Sequence, residues 1–284
     1  MASRTFVRFS VFLLLVVEAA GVTAAEQVSA KHARVELLAR QNLTAPGREL
    51  LLGVHFVLEQ GWHIYWTNPG DSGQPPVFTW QLPSGFSAGE IQWPRPERMQ
   101  SSPMLADYGY HDDVLLMVPV HAPQSLGGNA RAEIGLEAKW LICREVCLPD
   151  HAQLHLSLPV WSAVTVNPAT AAIFTGAQKL LPKPMPPGWK ARAESAKDSF
   201  MLSIAAGKPV GKAEFFPLEP GQVENAAPQK LQPSARGVKI TLKKSDLLLK
   251  PIAVLRGVLV LPGGDAYQVE APVAAKQEQK KKKG

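Results

Sequence analysis

The 284-residue chain contains only two cysteines, Cys143 and Cys147. It has no grouped zinc ligands, no Ser/His/Asp arrangement and no glycine-rich phosphate cradle, which argues against a hydrolase or a nucleotide enzyme. It also lacks a C-x-x-C on a thioredoxin-like strand–helix, so any thiol chemistry must run on another scaffold. Beyond the N-terminus no apolar run is long enough to span a bilayer, and Arg256 interrupts the stretch 252–261. Excess charge is missing as well. The formal +6 falls to +5 without residues 1–25, which hold Arg4, Arg8 and Glu18. It falls to +1 without the tail 276–284, which holds five lysines and one glutamate. A nearly neutral body does not offer a groove for nucleic acid.

What the termini contain is compositional. Arg4 and Arg8 precede an apolar run over 9–17, and small residues at 22–25 offer a cleavage site, so 1–25 reads as a secretory signal peptide. No cysteine at the cleavage point indicates a lipid anchor. The expected product is exported and soluble, without stable membrane insertion, in a compartment where disulfides persist. The basic tail reads as a solvated, disordered segment.

The mature chain reads as all-β. Leu50, Leu52, Val54, Phe56 and Leu58 alternate with Leu51, Gly53, His55 and Val57, a strand apolar on both faces and therefore central. Ala132, Ile134, Leu136, Ala138 and Trp140 alternate with charged residues and Gly135, which predicts a half-buried strand over 130–140. Further strands are expected over 77–82, 86–93, 114–121 and 154–158, with irregular stretches at 61–76 and 97–113. Many short strands separated by turn signals predict a β-sandwich over 26–162. A helix over 169–181 and the proline-rich 181–188 make 163–187 a connector. A second, smaller β-sandwich is expected over 188–275, with strands at 200–205, 213–216, 238–242, 252–261 and 267–273. It has no cysteine or histidine.

The candidate site is the run WLICREVCLPD, 140–150. Four residue steps of straight strand span about 13 Å, whereas a disulfide needs Cα atoms within about 7 Å, so the backbone must turn between the two cysteines. Pro149 is expected to stop the ladder just beyond Cys147. A loop this short contributes only about 2 kcal/mol on the chain-entropy model, against nearly 5 for a hundred-residue loop. That favours redox chemistry over a pure staple. Two other readings stay open: a structural bridge, and a Cu(I) site in which His151, Met99, Met104 or His111 joins the two thiolates. Arg144 would favour a thiolate, while Glu145 and Asp150 would oppose it. The aromatic cluster from Trp62 to Trp66 reads as packing, Asn42-Leu43-Thr44 fits a glycosylation acceptor, and Asp112-Asp113 a solvated turn.

Three tracts together, HIYWTNPGDSGQPP, YGYHDDVLLMVPV and AKWLICREVCLPDHAQLHLSLPV, resemble the periplasmic N-terminal domain of DsbD-type thiol:disulfide interchange proteins over roughly 30–160. The tracts FFP…NAAPQ and RGVLVLPGG resemble the second β-domain of relatives linked to copper-stress tolerance. The resemblance implies an immunoglobulin-like sandwich with Cys143 and Cys147 as a redox pair in an inserted hairpin region, without a cofactor, and with Cys147 joining partners. It implies a cap loop over the pair matched by Tyr108 and Gly109, flanked by Asp107 and Tyr110; Asp107 stands where the family's leading aromatic would be. The cysteines are also closer together than in the best-known members. The implied partners are a membrane-embedded thiol reductant on a separate chain and oxidised periplasmic proteins, with cytochrome c biogenesis and copper tolerance as the implied processes.

Overall fold

The computed structural model describes residues 27–128 and 130–275. The expected signal peptide (1–25) and basic tail (276–284) lie outside the described residues. The first eleven strands are β1 (Gln27–Ala30), β2 (Ala33–Ala39), β3 (Glu49–Leu58), β4 (His63–Gly70), β5 (Val77–Gln81), β6 (Ser87–Ala88), β7 (Glu97–Ser102), β8 (Leu105–His111), β9 (Asp113–His121), β10 (Arg131–Cys143) and β11 (Cys147–Pro159). They form an immunoglobulin-like sandwich of two sheets, ordered β1-β2-β3-β9-β6 and β11-β10-β4-β8-β7, with β5 also pairing with β10.

The alternating patterns explain the packing. Leu50, Leu52, Val54 and Phe56 of β3 meet Ile134, Leu136, Ala138 and Trp140 of β10 in one core. Phe56 stands edge-on to Trp140 at 5.2 Å. A helix packs on part of the other face of β3, at Leu51. Helix α1 (Ala171–Leu180) buries Phe174 and Ala177 against Leu38, Leu51, Leu115 and Met117.

Four expectations need correction. The stretch 61–76 contains β4, and 97–113 contains β7 and β8. Register shifts between Tyr65 and Gly70, and between Gln100 and Ser102, break the two-residue period that would have revealed them. Conversely, 86–93 supplies only the two-residue β6 and a bridge from Gln92 to Met117. Pro149 does not end the ladder. It lies inside β11 opposite Leu141, and β11 is an edge strand, where a missing N–H is tolerated.

After α1 come β12 (Lys183–Pro184), β13 (Lys190–Ser195), β14 (Ser199–Ala205), β15 (Glu214–Pro217), β16 (Lys230–Ser234), β17 (Gly237–Lys243), β18 (Val254–Val260) and β19 (Ala266–Ala275). Their order is β15-β18-β19-β13-β14-β17-β16, with β12 alongside β19. They wrap a separate core that includes Phe200, Leu202, Ile240, Leu255 and Leu259. The proline-rich stretch is pinned rather than free, since Lys183 and Pro184 pair with Tyr267 and Gln268. The two β-rich segments also share apolar contacts. Phe216 and Val258 join the sandwich core, and Phe216 packs edge-on against Tyr108 at 5.2 Å and Trp66 at 6.5 Å.

Candidate functional site: a disulfide at a hairpin tip

Strands β10 and β11 form a long antiparallel hairpin whose closing pair is Cys143 opposite Cys147. The two are joined as a disulfide with Cα atoms 4.2 Å apart, so the required turn is the tip formed by Arg144, Glu145 and Val146. The two sulfurs have unequal surroundings. Cys143 is the last residue of a buried strand and only 2% exposed. It also pairs across to His63 at the start of β4. Cys147 lies on the outer rim and is exposed, beside Val146 at 61% exposure.

One polar side chain reaches the exposed sulfur. The Tyr65 hydroxyl lies 3.4 Å from Cys147 Sγ. A disulfide sulfur carries no proton, so the phenol donates. Tyr65 is fully buried. Burial pushes its phenol up from the ordinary 10, the neighbouring Ser72 hydroxyl opposes this, and the Asp107 charge adds to it. The phenol therefore stays a donor at neutral pH.

Tyr65 is seated by the segment after β4. Gly73 adopts φ +76°, and a Cβ there would fall 2.1 Å from Tyr65 Cζ, so the bare backbone rests on the ring. Ser72 is anchored in turn: its N–H and its hydroxyl each donate to Asp107, both at 2.8 Å.

His63 completes the inner side. Its ring stands edge-on to Tyr65 at 5.3 Å and to His111 at 5.6 Å. Burial pushes its pKa down, the neighbouring His111 adds to this, and the Asp107 charge opposes it. Its Nε2 is buried with no hydrogen-bond partner among the described residues.

Two of the charged residues flagged in the run, Arg144 and Asp150, are otherwise engaged. The Arg144 guanidinium sits over Trp62 at 5.3 Å, and Trp62 stacks on His32 at 3.8 Å. This pile ties the hairpin tip to the turn before β4. Asp150 accepts the N–H of Lys31 at 2.7 Å and that of His151 at 2.9 Å.

The four residues assigned to a cap loop are instead the centre of strand β8, between β4 and β7. Asp107 anchors Ser72. Tyr108 faces Phe216 and donates to Asn225 Oδ1 at 3.0 Å. Gly109 lies against β4 so closely that a Cβ would fall 2.0 Å from the Ile64 carbonyl oxygen. Tyr110 donates to the Pro94 carbonyl at 2.9 Å. The segment seated on Tyr65 is 71–73, which directly follows β4. Three of the four ligands considered for Cu(I) are dispersed: His151 pairs with Lys139 on the hairpin, Met99 lies on β7 and Met104 is exposed; the fourth, His111, stands beside His63, which pairs with Cys143. Among the described residues, no group of three or more His, Cys, Asp and Glu side chains is gathered as a metal site.

Sequence reasoning passed over Tyr65 and His63 as chemical groups. Their alternation with Trp62, Ile64 and Trp66 was the available signal, because it places both on the face that β10 delivers Cys143 to.

Fold and site together define an immunoglobulin-like sandwich bearing a disulfide at the tip of a hairpin. Residues 34–159 match the family described as "Thiol:disulfide interchange protein DsbD, N-terminal". Among solved structures, the chain is similar to the N-terminal periplasmic domain of ScsB from Proteus mirabilis. That match has a TM-score of 0.65 and 16% identity, covering 86% of this chain and 94% of that one. The shared fold thus runs beyond the sandwich into the second β-rich segment. No curated protein matches the sequence.

Proposed function

We propose that the protein is an exported, periplasmic thiol:disulfide interchange module that carries electron pairs through Cys143 and Cys147. The observation that carries this reading is the inequality of the two sulfurs: Cys147 is open to solvent under a donated hydrogen bond, and Cys143 is 2% exposed. A structural staple gains nothing from leaving one sulfur open at a hairpin tip.

In the first half-cycle a thiolate of the reduced donor attacks Cys147 Sγ, and the Cys143–Cys147 bond breaks. Cys143 leaves as a thiolate and takes up a proton. The donor's second thiolate then attacks the donor sulfur of the mixed disulfide and releases Cys147 as a thiolate. The donor ends as a disulfide and this protein as a dithiol, two electrons richer. In the second half-cycle the Cys147 thiolate attacks the disulfide of an oxidised client, expelling one client thiolate. Cys143, deprotonated, attacks Cys147 Sγ, re-forms the disulfide and expels the other. The Tyr65 hydroxyl holds Cys147 whenever it carries charge, because a hydrogen bond to a thiolate is stronger than one to a neutral sulfur. The donor in this reading is a membrane-embedded thiol protein on a separate chain, and the clients are oxidised exported proteins.

Equilibration of the full chain with defined dithiol/disulfide buffers, followed by thiol trapping, tests the reading. The pair is expected to titrate above about −300 mV, in the range of exchangeable disulfides. A bond that stays closed below that potential is structural, and the proposal fails.

A further inference from the structure

The second β-rich segment reaches the disulfide site through one buried side chain, Asn225. It lies between β15 and β16 and is 7% exposed. The Arg98 guanidinium of β7 holds its carbonyl, with Nη2 at 2.6 Å and Nε at 3.1 Å. The Tyr108 hydroxyl occupies Asn225 Oδ1, which turns the amide nitrogen onto Asp71 Oδ1 at 2.8 Å. The other Asp71 oxygen accepts the Ala106 N–H at 2.8 Å, and the Asp71 N–H donates to the Ala106 carbonyl at 3.1 Å. Asp71 is thus gripped from two sides, and only one grip belongs to the sandwich. Ser72 and Gly73 follow directly, and Gly73 rests on the ring whose hydroxyl touches Cys147 Sγ.

We propose that Asn225 is a positioning residue through which the second β-rich segment seats loop 71–73 on Tyr65, and so sets the thiolate character of Cys147. The inference rests on the interchange reading for its purpose, but not for its measurement. With the Asn225–Asp71 bond gone, the loop keeps the bonds from Ser72 to Asp107 and loses its outer tether. Tyr65 then samples orientations that do not reach Cys147, and the thiolate loses part of its donor. The polarity of the pair is fixed by Tyr108. An aspartate at 225 would still accept from Tyr108 but would set a second carboxylate against Asp71; an asparagine at 71 would then restore a donor between them.

The test uses the reduced full-length chain carrying Cys143→Ser, in which Cys147 is the single thiol. Its alkylation by iodoacetamide is followed against pH. Asn225→Asp and, as a milder change, Asn225→Ala should each move the midpoint upward, lowering the thiolate fraction at pH 7 by about threefold or more, with the rate at full ionisation not reduced. The double variant Asp71→Asn/Asn225→Asp should return the midpoint to that of the parent. Phe216→Leu, which loosens the apolar contact between the two segments but leaves Asn225 on Asp71, should leave it in place. An unmoved midpoint in Asn225→Ala, a double variant that fails to restore it, or an equal shift in Phe216→Leu overturns the inference. Because alkylation needs no redox partner, failure of the interchange reading would appear separately, as a wild-type disulfide that does not exchange.

Discussion

The two sheets of the sandwich differ in kind. The sheet β1-β2-β3-β9-β6 is regular. Strands β3 and β9 pair without interruption over nine positions, from Glu49 with His121 to Val57 with Asp113, and helix α1 packs on the outer face at Leu38, Leu51, Leu115 and Met117. The sheet β11-β10-β4-β8-β7 is bulged on β4 and between β7 and β8. It carries the disulfide, Tyr65 and His63, and it receives Asn225 and Phe216 of the second segment. One sheet supplies the platform and the other spends regularity on chemistry. A bulge re-aims side chains and frees backbone to turn, and here it lets the chain leave β4 and fold back over Tyr65.

Phe56→Ala tests the division most severely. Phe56 is fully buried and should cost about 3–5 kcal/mol on denaturant unfolding. The Cys147 alkylation midpoint should not move in the folded protein; if it moves, the sheets are not separable. Tyr65→Phe is the converse case. It removes only the hydroxyl on Cys147 Sγ and should raise the Cys147 midpoint by about one pH unit, with a much smaller loss of stability than Phe56→Ala. An unshifted midpoint would show that the hydroxyl does not act on the thiolate.

The smallest expected effect is a pH dependence confined to the regular sheet. His55 is buried there between Glu36 and Asp113, with both ring nitrogens at 2.8 Å from a carboxylate oxygen. Burial works against the charged ring, but the hydrogen bonds to Asp113 and Glu36 and their charges outweigh it, so its pKa is raised above 6.5. A raised folded-state value means that the protonated ring stabilises the fold below the unfolded pKa and that this contribution is lost as pH rises through the folded one. Melting temperature should therefore fall as pH climbs through that window, and His55→Gln should flatten the fall. A wild-type profile already flat there would contradict it.

The same contrast decides how much could be read from the residues alone. The β3 and β10 patterns keep strict alternation, so their burial followed directly, and so did the double-faced character of β3, explained in part by α1. The turn between Cys143 and Cys147 followed from reach. Strands β4, β7 and β8 did not, because their bulges erase the period and their Gly, Pro and Asn content mimics loop. Tyr65 precedes the β4 bulge, but it was read as packing within the cluster from Trp62 to Trp66. It lies 82 positions from Cys147, a distance that only the β4–β10 pairing closes. Asp107 was singled out as part of a cap; its side chain instead anchors Ser72, the residue before the glycine that rests on Tyr65. Asn225 opens the tract NAAPQ, but nothing in that tract points its side chain to Asp71.

The central claim is that the sulfurs divide the labour, Cys147 meeting partners and Cys143 resolving them. The most direct measurement compares mixed-disulfide formation by Cys143→Ser and Cys147→Ser with a disulfide-bearing model protein under one set of conditions. The account predicts a persistent adduct through Cys147 in the first variant and almost none in the second. Equal adducts from both, or an adduct only through Cys143, would contradict it.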